Sequence, residues 1–132
     1  MVASAIALGI AGLAVSFVPV EFLGLLGVAV AEPMPVLMNL MGGLYLGLAL
    51  VNWMAKDNMI GGIYSRPVAM GNFLHFFVGA LSLAKHQLSG DVSAILVGAL
   101  VVYGIFAGLF GWLVFGHGAA CAAGGNPQSP DA

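Results

Sequence analysis

Charge is missing from four long stretches of this chain, and that limits its fold more than any motif does. Its eight Asp, Glu, Lys and Arg residues stand at the edges of apolar runs. Twenty uncharged residues precede Glu21, 23 separate Glu32 from Lys56, 18 separate Arg66 from Lys85, and no charge falls between Asp91 and Asp131. A helix rises about 1.5 Å per residue and crosses a hydrocarbon layer of roughly 30 Å in about 20 residues. Four bilayer-crossing helices are therefore expected. A water-soluble fold is excluded by composition, because 61% hydrophobic and 6% charged residues leave too little polar surface to face water.

The same numbers exclude other classes. Three basic residues form no patch for nucleic acid, and Cys121, the single cysteine, allows no intrachain disulfide or multi-cysteine metal site. No phosphate-binding glycine loop, carboxylate pair or nucleophile elbow is visible, so no catalytic residue and no metal ligand is assigned. Ala29-Val30-Ala31 has the small-x-small form of a signal-peptide cleavage site. The first twenty residues carry no Lys or Arg, so the basic start of such a peptide is missing and the first segment is expected to stay.

The expected fold is all-α, an integral membrane antiparallel four-helix bundle over residues 1–118. Its spans are placed at 2–18, 34–55, 66–88 and 92–115. Residues 19–33, with Pro19, Glu21 and Pro33, are too short and too broken to cross and read as an interfacial segment. Ser65-Arg66-Pro67 starts the third span as an N-cap followed by an early proline, and Asp91 can cap the fourth. Residues 119–132, rich in Gly, Ala and Pro, are expected to be a flexible tail. Lys56 and Arg66 flank one short loop, which predicts that this loop and both termini are cytoplasmic. Trp53, Trp112 and Tyr64, near span ends, read as interface anchors.

In lipid, helices associate through close backbone approach and buried hydrogen bonds, so small and polar residues mark contact faces. Gly9 and Gly12 mark such a face on the first span, Gly42, Tyr45, Ala49 and Asn52 on the second. Gly43 with Gly47 and Gly104 with Gly108 form GxxxG pairs. These glycines are read as packing positions. Ala107 and Phe106 are expected on a different face from Gly104 and Gly108. The third span gathers Asn72, His75, Gly79, Ser82 and His86 on one side. Asn39, Asn52, Asn72, His75 and Ser82 form the candidate polar site, with the amides expected to pin helix pairs.

His75 lies nine residues beyond Arg66, roughly 13 Å deep by helix rise. It is expected to be neutral and bonded to a neighbouring helix, since charge there would need a partner. A haem or a quinone at His75 is the alternative, but no other span carries a histidine at matching depth. No cofactor is predicted.

Leu48-Ala49-Leu50-Val51-Asn52-Trp53-Met54-Ala55, Gly71-Asn72 with His75, and Gln87-Leu88-Ser89-Gly90 carry a resemblance. Over roughly residues 40–115 the chain resembles small four-span bacterial membrane proteins of the DoxX-like kind. The resemblance implies the bacterial inner membrane and, since some DoxX-like proteins accompany membrane redox systems, a redox partner. It carries over no catalytic residue. The expected function is that of a non-catalytic integral membrane protein, acting as a homo-oligomer or as an accessory subunit of a larger complex. A redox, quinone- or haem-associated subunit and a small transporter or channel are the alternatives.

Overall fold

The computed structural model describes residues 1–29, 31–57, 65–89 and 93–122, with side chains to 116 in the last stretch. The described residues are helical: α1 (Val2–Phe17), α2 (Pro19–Leu25), α3 (Met34–Met54) extended by a 3-10 turn (Ala55–Asp57), α4 (Ser65–Leu88) and α5 (Ala94–Ala122). Met34–Asp57, Ser65–Leu88 and Ala94–Gly116 are each long and apolar enough to cross a membrane, with mean hydropathy of 1.7, 1.4 and 2.3. The sixteen residues of α1 reach only about 24 Å. It passes the same test only together with α2, across a bend of 105°.

The bend follows from Pro19. Steric contact with a proline ring disfavours helical geometry in the residue before it, and Val18 leaves the helix at φ −131°, ψ 53°. Proline then suits the first position of α2, whose N–H would have no partner. A glycine ends α2. Gly27 has φ +71°, its N–H donates to the Gly24 carbonyl at 3.1 Å, and the Val28 N–H donates to the Leu23 carbonyl at 3.0 Å. This paired closure requires left-handed backbone, which glycine adopts without steric penalty.

At the other end of the chain α5 continues to Ala122, seven residues past the expected stop at Phe115. Gly116, Gly118 and the alanines that follow carry no proline before Pro127, so nothing local breaks the helix. The first four residues of the expected tail, 119–122, are helical, and the remainder at 123–132 lies outside the described residues, as do the N-cap role expected of Asp91 and the loop at 58–64 with Tyr64.

Two helix pairs dominate the packing, α1 with α3 and α4 with α5. Contacts that climb α1 descend α3: Ser4 meets Asn52, Gly9 faces Ala49 and Gly12 lies against Gly42. The two helices therefore run in opposite directions. Their interface is backbone on backbone. A Cβ at Gly12 would sit 3.0 Å from the Gly42 carbonyl oxygen, and one at Gly42 would sit 2.9 Å from the Gly12 oxygen. Glycine at both positions is what permits this approach.

The α4–α5 pair uses aromatic rings instead. Phe76, 1% exposed, stacks on Phe106 at 4.8 Å and on Phe110 at 5.9 Å. Tyr103 fills the notch left by Gly79, and Phe73 lies against Gly111. Leu8, Ala49, Ala69, Phe76, Ala107 and Phe110 form one buried cluster that reaches across both pairs.

Candidate functional site

Polar side chains inside this apolar chain gather in two groups. The first is buried at the junction of α1, α3 and α4. Ser4, Asn52 and Asn72 are each 0% exposed. The amides face each other reciprocally: Asn52 Nδ2 donates to Asn72 Oδ1 at 2.7 Å, and Asn72 Nδ2 donates to Asn52 Oδ1 at 2.5 Å. The second amide hydrogens go to Ser4 Oγ at 3.2 Å and to the Val68 carbonyl at 2.8 Å. Ser4 Oγ in turn donates to the Met1 carbonyl at 2.7 Å. Every amide N–H is used, so the group locks three helices and has no donor left for a ligand.

The second group lies further along the helices and is only half-buried. Tyr103 on α5 donates its hydroxyl to Tyr45 Oη on α3 at 3.1 Å. His75 Nε2 on α4 lies 3.4 Å from the same Tyr103 oxygen. The His75 ring also stands edge-on to Tyr45, with centroids 5.4 Å apart. Three helices thus supply one ring each to a chain of two hydrogen bonds.

This group opens into a groove of about 490 Å³ between α3 and α4. Tyr45 and His75 are its polar side chains, Leu44, Leu48 and Val51 supply apolar walls, and Gly43, Gly47 and Gly71 line it with bare backbone. Nothing lies within 4 Å of where a Cβ would stand on any of these three glycines. Helices α3 and α4 touch sparingly, so the groove stays open beyond the Asn52–Asn72 pair.

The residues singled out from sequence divide accordingly. Asn52 and Asn72 come together, and His75 lies one turn beyond Asn72 on the same side of α4. Asn39 and Ser82, expected in the polar site, are exposed. So is His86. All three lie past the stretch where α3 and α4 meet, so no helix covers the faces that carry them. His117 lies beyond the described side chains.

Gly9 and Gly12 face α3. At Gly43, Gly47, Gly104 and Gly108 nothing among the described residues lies within 4 Å of where a Cβ would stand, and Gly42, one residue from the GxxxG pair on α3, makes the close contact in their place. Ala107 and Phe106 do lie on a different face from Gly104 and Gly108, but it is the packed one. Tyr103, which links His75 to Tyr45, was not singled out from sequence. Its place on the packed side of α5, four residues before buried Ala107, shows only in the structure. Trp53 stands under Lys56, whose Nζ is 4.1 Å from the ring centre. Among the described residues no group of three or more His, Cys, Asp or Glu could hold a metal ion. Comparison with family models, with curated proteins and with solved structures finds no match for this chain.

Proposed function

We propose that the chain is a non-catalytic integral membrane protein that works by lateral association, as a homo-oligomer or as an accessory subunit of a larger membrane complex. The observation that carries this is the outer face of α5. Gly104 and Gly108 are exposed, with nothing among the described residues within 4 Å of a Cβ there, while Ala107 beside them and Phe110 across the helix are buried. Large apolar side chains facing outward, such as Ile10, Leu40, Leu74 and Trp112, suit contact with lipid. A glycine pair one turn apart gains little from lipid, but it lets a second helix approach closely.

The wider reading is an antiparallel four-helix bundle built from the two helix pairs. It would sit in the bacterial inner membrane with both termini cytoplasmic, on the strength of Lys56 and Arg66 flanking one loop. Kinship with DoxX-like proteins belongs to the same proposal and rests on residues 48–55, 71–75 and 87–90. A transport path within one chain finds less support, because the polar side of α4 is divided between the locked Asn72 and the outward Ser82 and His86.

Purification from native membranes in mild detergent tests the proposal. It predicts a particle heavier than the 13.4 kDa chain with its detergent, containing either further copies or a fixed partner. A lone monomer from every mild detergent would overturn it. Orientation is tested by an impermeant thiol reagent, which is expected to reach Cys121 only after the inner membrane is opened. Labelling on intact spheroplasts would contradict it.

A further inference from the structure

We infer that the α3–α4 groove binds a flat, lipophilic carbonyl compound of the quinone class, held by a hydrogen bond from the Tyr45–Tyr103–His75 group. The inference stands apart from the association face on α5 and rests on a count of protons. Two tyrosine hydroxyls and a neutral imidazole bring three donor hydrogens. The chain Tyr45–Tyr103–His75 contains two hydrogen bonds, at 3.1 and 3.4 Å, which use two of them.

One donor is therefore left over, whichever way the chain is polarised. With Tyr103 donating to Tyr45, the Tyr45 hydroxyl hydrogen is unused. With the bonds reversed and Tyr103 donating to His75 Nε2, the imidazole Nδ1–H is unused. With Tyr103 accepting from both neighbours, its own hydrogen is unused and lies off the groove. The structure has the first arrangement, Tyr103 donating to Tyr45, so the spare hydrogen is the Tyr45 hydroxyl's. Both ends of the chain, Tyr45 and His75, line the groove. Neither has a further hydrogen-bond partner among the described residues. An unmet donor away from water carries a penalty that an acceptor in the groove would remove.

Depth and shape select the acceptor. His75 is the eleventh residue of α4, roughly 15 Å along a helix that starts at Ser65, which puts it near the middle of the hydrocarbon layer. Phospholipid ester carbonyls lie near the headgroups, out of reach at that depth. Lipid-soluble ring carbonyls do reach it. Gly43, Gly47 and Gly71 leave side-chain-free surface on both helices, space that suits a planar ring. The volume of about 490 Å³ is within the range of small-molecule sites, roughly 300–1,000 Å³. Leu44, Leu48 and Val51 would meet the ring and the start of its tail.

The test uses the full chain in lipid nanodiscs with a decyl-substituted benzoquinone as probe, and decylbenzene as the matched compound without carbonyls. Saturable binding of the quinone with weaker binding of decylbenzene is expected. Gly47→Leu fills the groove where no atom stands and is expected to abolish binding while leaving thermal unfolding unchanged. The double variant Tyr45→Phe, His75→Phe removes both groove-facing donors and is expected to weaken binding roughly tenfold, the scale of one buried hydrogen bond. It is also expected to lose the downward shift of the bound quinone's carbonyl stretching band. Equal binding of the two compounds, no saturable binding, or full binding by Gly47→Leu would each overturn the inference. So would an unshifted carbonyl band in the unaltered protein, a readout that does not depend on any variant folding.

Discussion

Asn52 and Asn72 show how a buried polar residue can be a liability alone and an asset in a pair. Each amide satisfies the other, and the remaining hydrogens reach Ser4 Oγ and the Val68 carbonyl. Replacing one amide strands the other in an apolar setting, a cost of about 1–3 kcal/mol. Replacing both by leucine removes the demand together with the supply. Asn52→Leu and Asn72→Leu are each expected to destabilise the protein by about that amount, with the double variant losing clearly less than the sum. Unfolding in mixed micelles measures this, and strictly additive losses would contradict the reciprocal pairing. That amides within apolar helices seek partners was legible from sequence. Which amides meet was not, because Asn39 sits on the same helix as Asn52 but beyond the reach of α4. The partner of His75 was hidden for a related reason. A tyrosine near a histidine on another helix leaves no mark on local spacing, and Tyr103 reads from sequence as one more apolar-span aromatic.

Among the helices, the informative contrast is between glycines that are packed and glycines that are not. Gly12 and Gly42 let α1 and α3 touch through backbone, whereas nothing among the described residues lies within 4 Å of a Cβ at Gly104 or Gly108. Gly12→Leu is expected to destabilise the fold, since even a Cβ there would stand 3.0 Å from the Gly42 carbonyl oxygen. Ala107→Leu is expected to cost about 1–3 kcal/mol, because it overfills the interface beside Phe76 and Phe110. Gly104→Leu and Gly108→Leu are expected to leave intrachain stability within about 0.5 kcal/mol, as changes at uncovered positions usually do. Equal losses at all four positions, read from thermal unfolding of the monomer, would contradict this division. The four runs and most of their limits were readable because charge and proline mark them directly. The working glycine of α3 was not, since Gly42 and Gly43 are adjacent and spacing favours the GxxxG pair of Gly43 and Gly47. Only the placement of α1 decides between them. The sharp closure at Gly27 was hidden in the same way, inside a stretch whose composition resembles the spans around it.

As a whole, the molecule completes its own packing in two helix pairs and still leaves two features unused. One is the groove at Tyr45 and His75, and the other is the glycine pair on the outer face of α5. A glycine pair on an uncovered helix face leaves room for a second helix to come close. Disulfide trapping in native membranes shows whether α5 makes the association proposed for it. In a background with Cys121 replaced by serine, cysteine is placed singly at Gly104, at Gly108 and, as a control facing away from the interfaces, at exposed Leu74. Mild oxidation is expected to convert the Gly104→Cys and Gly108→Cys chains into a dimer when the partner is a second copy. When the partner is another protein, a bifunctional thiol–amine reagent is expected to give a discrete heavier adduct, while Leu74→Cys stays monomeric under both treatments. Cross-linking that is absent at all three positions, or equal at all three, would rule out association through the Gly104–Gly108 face.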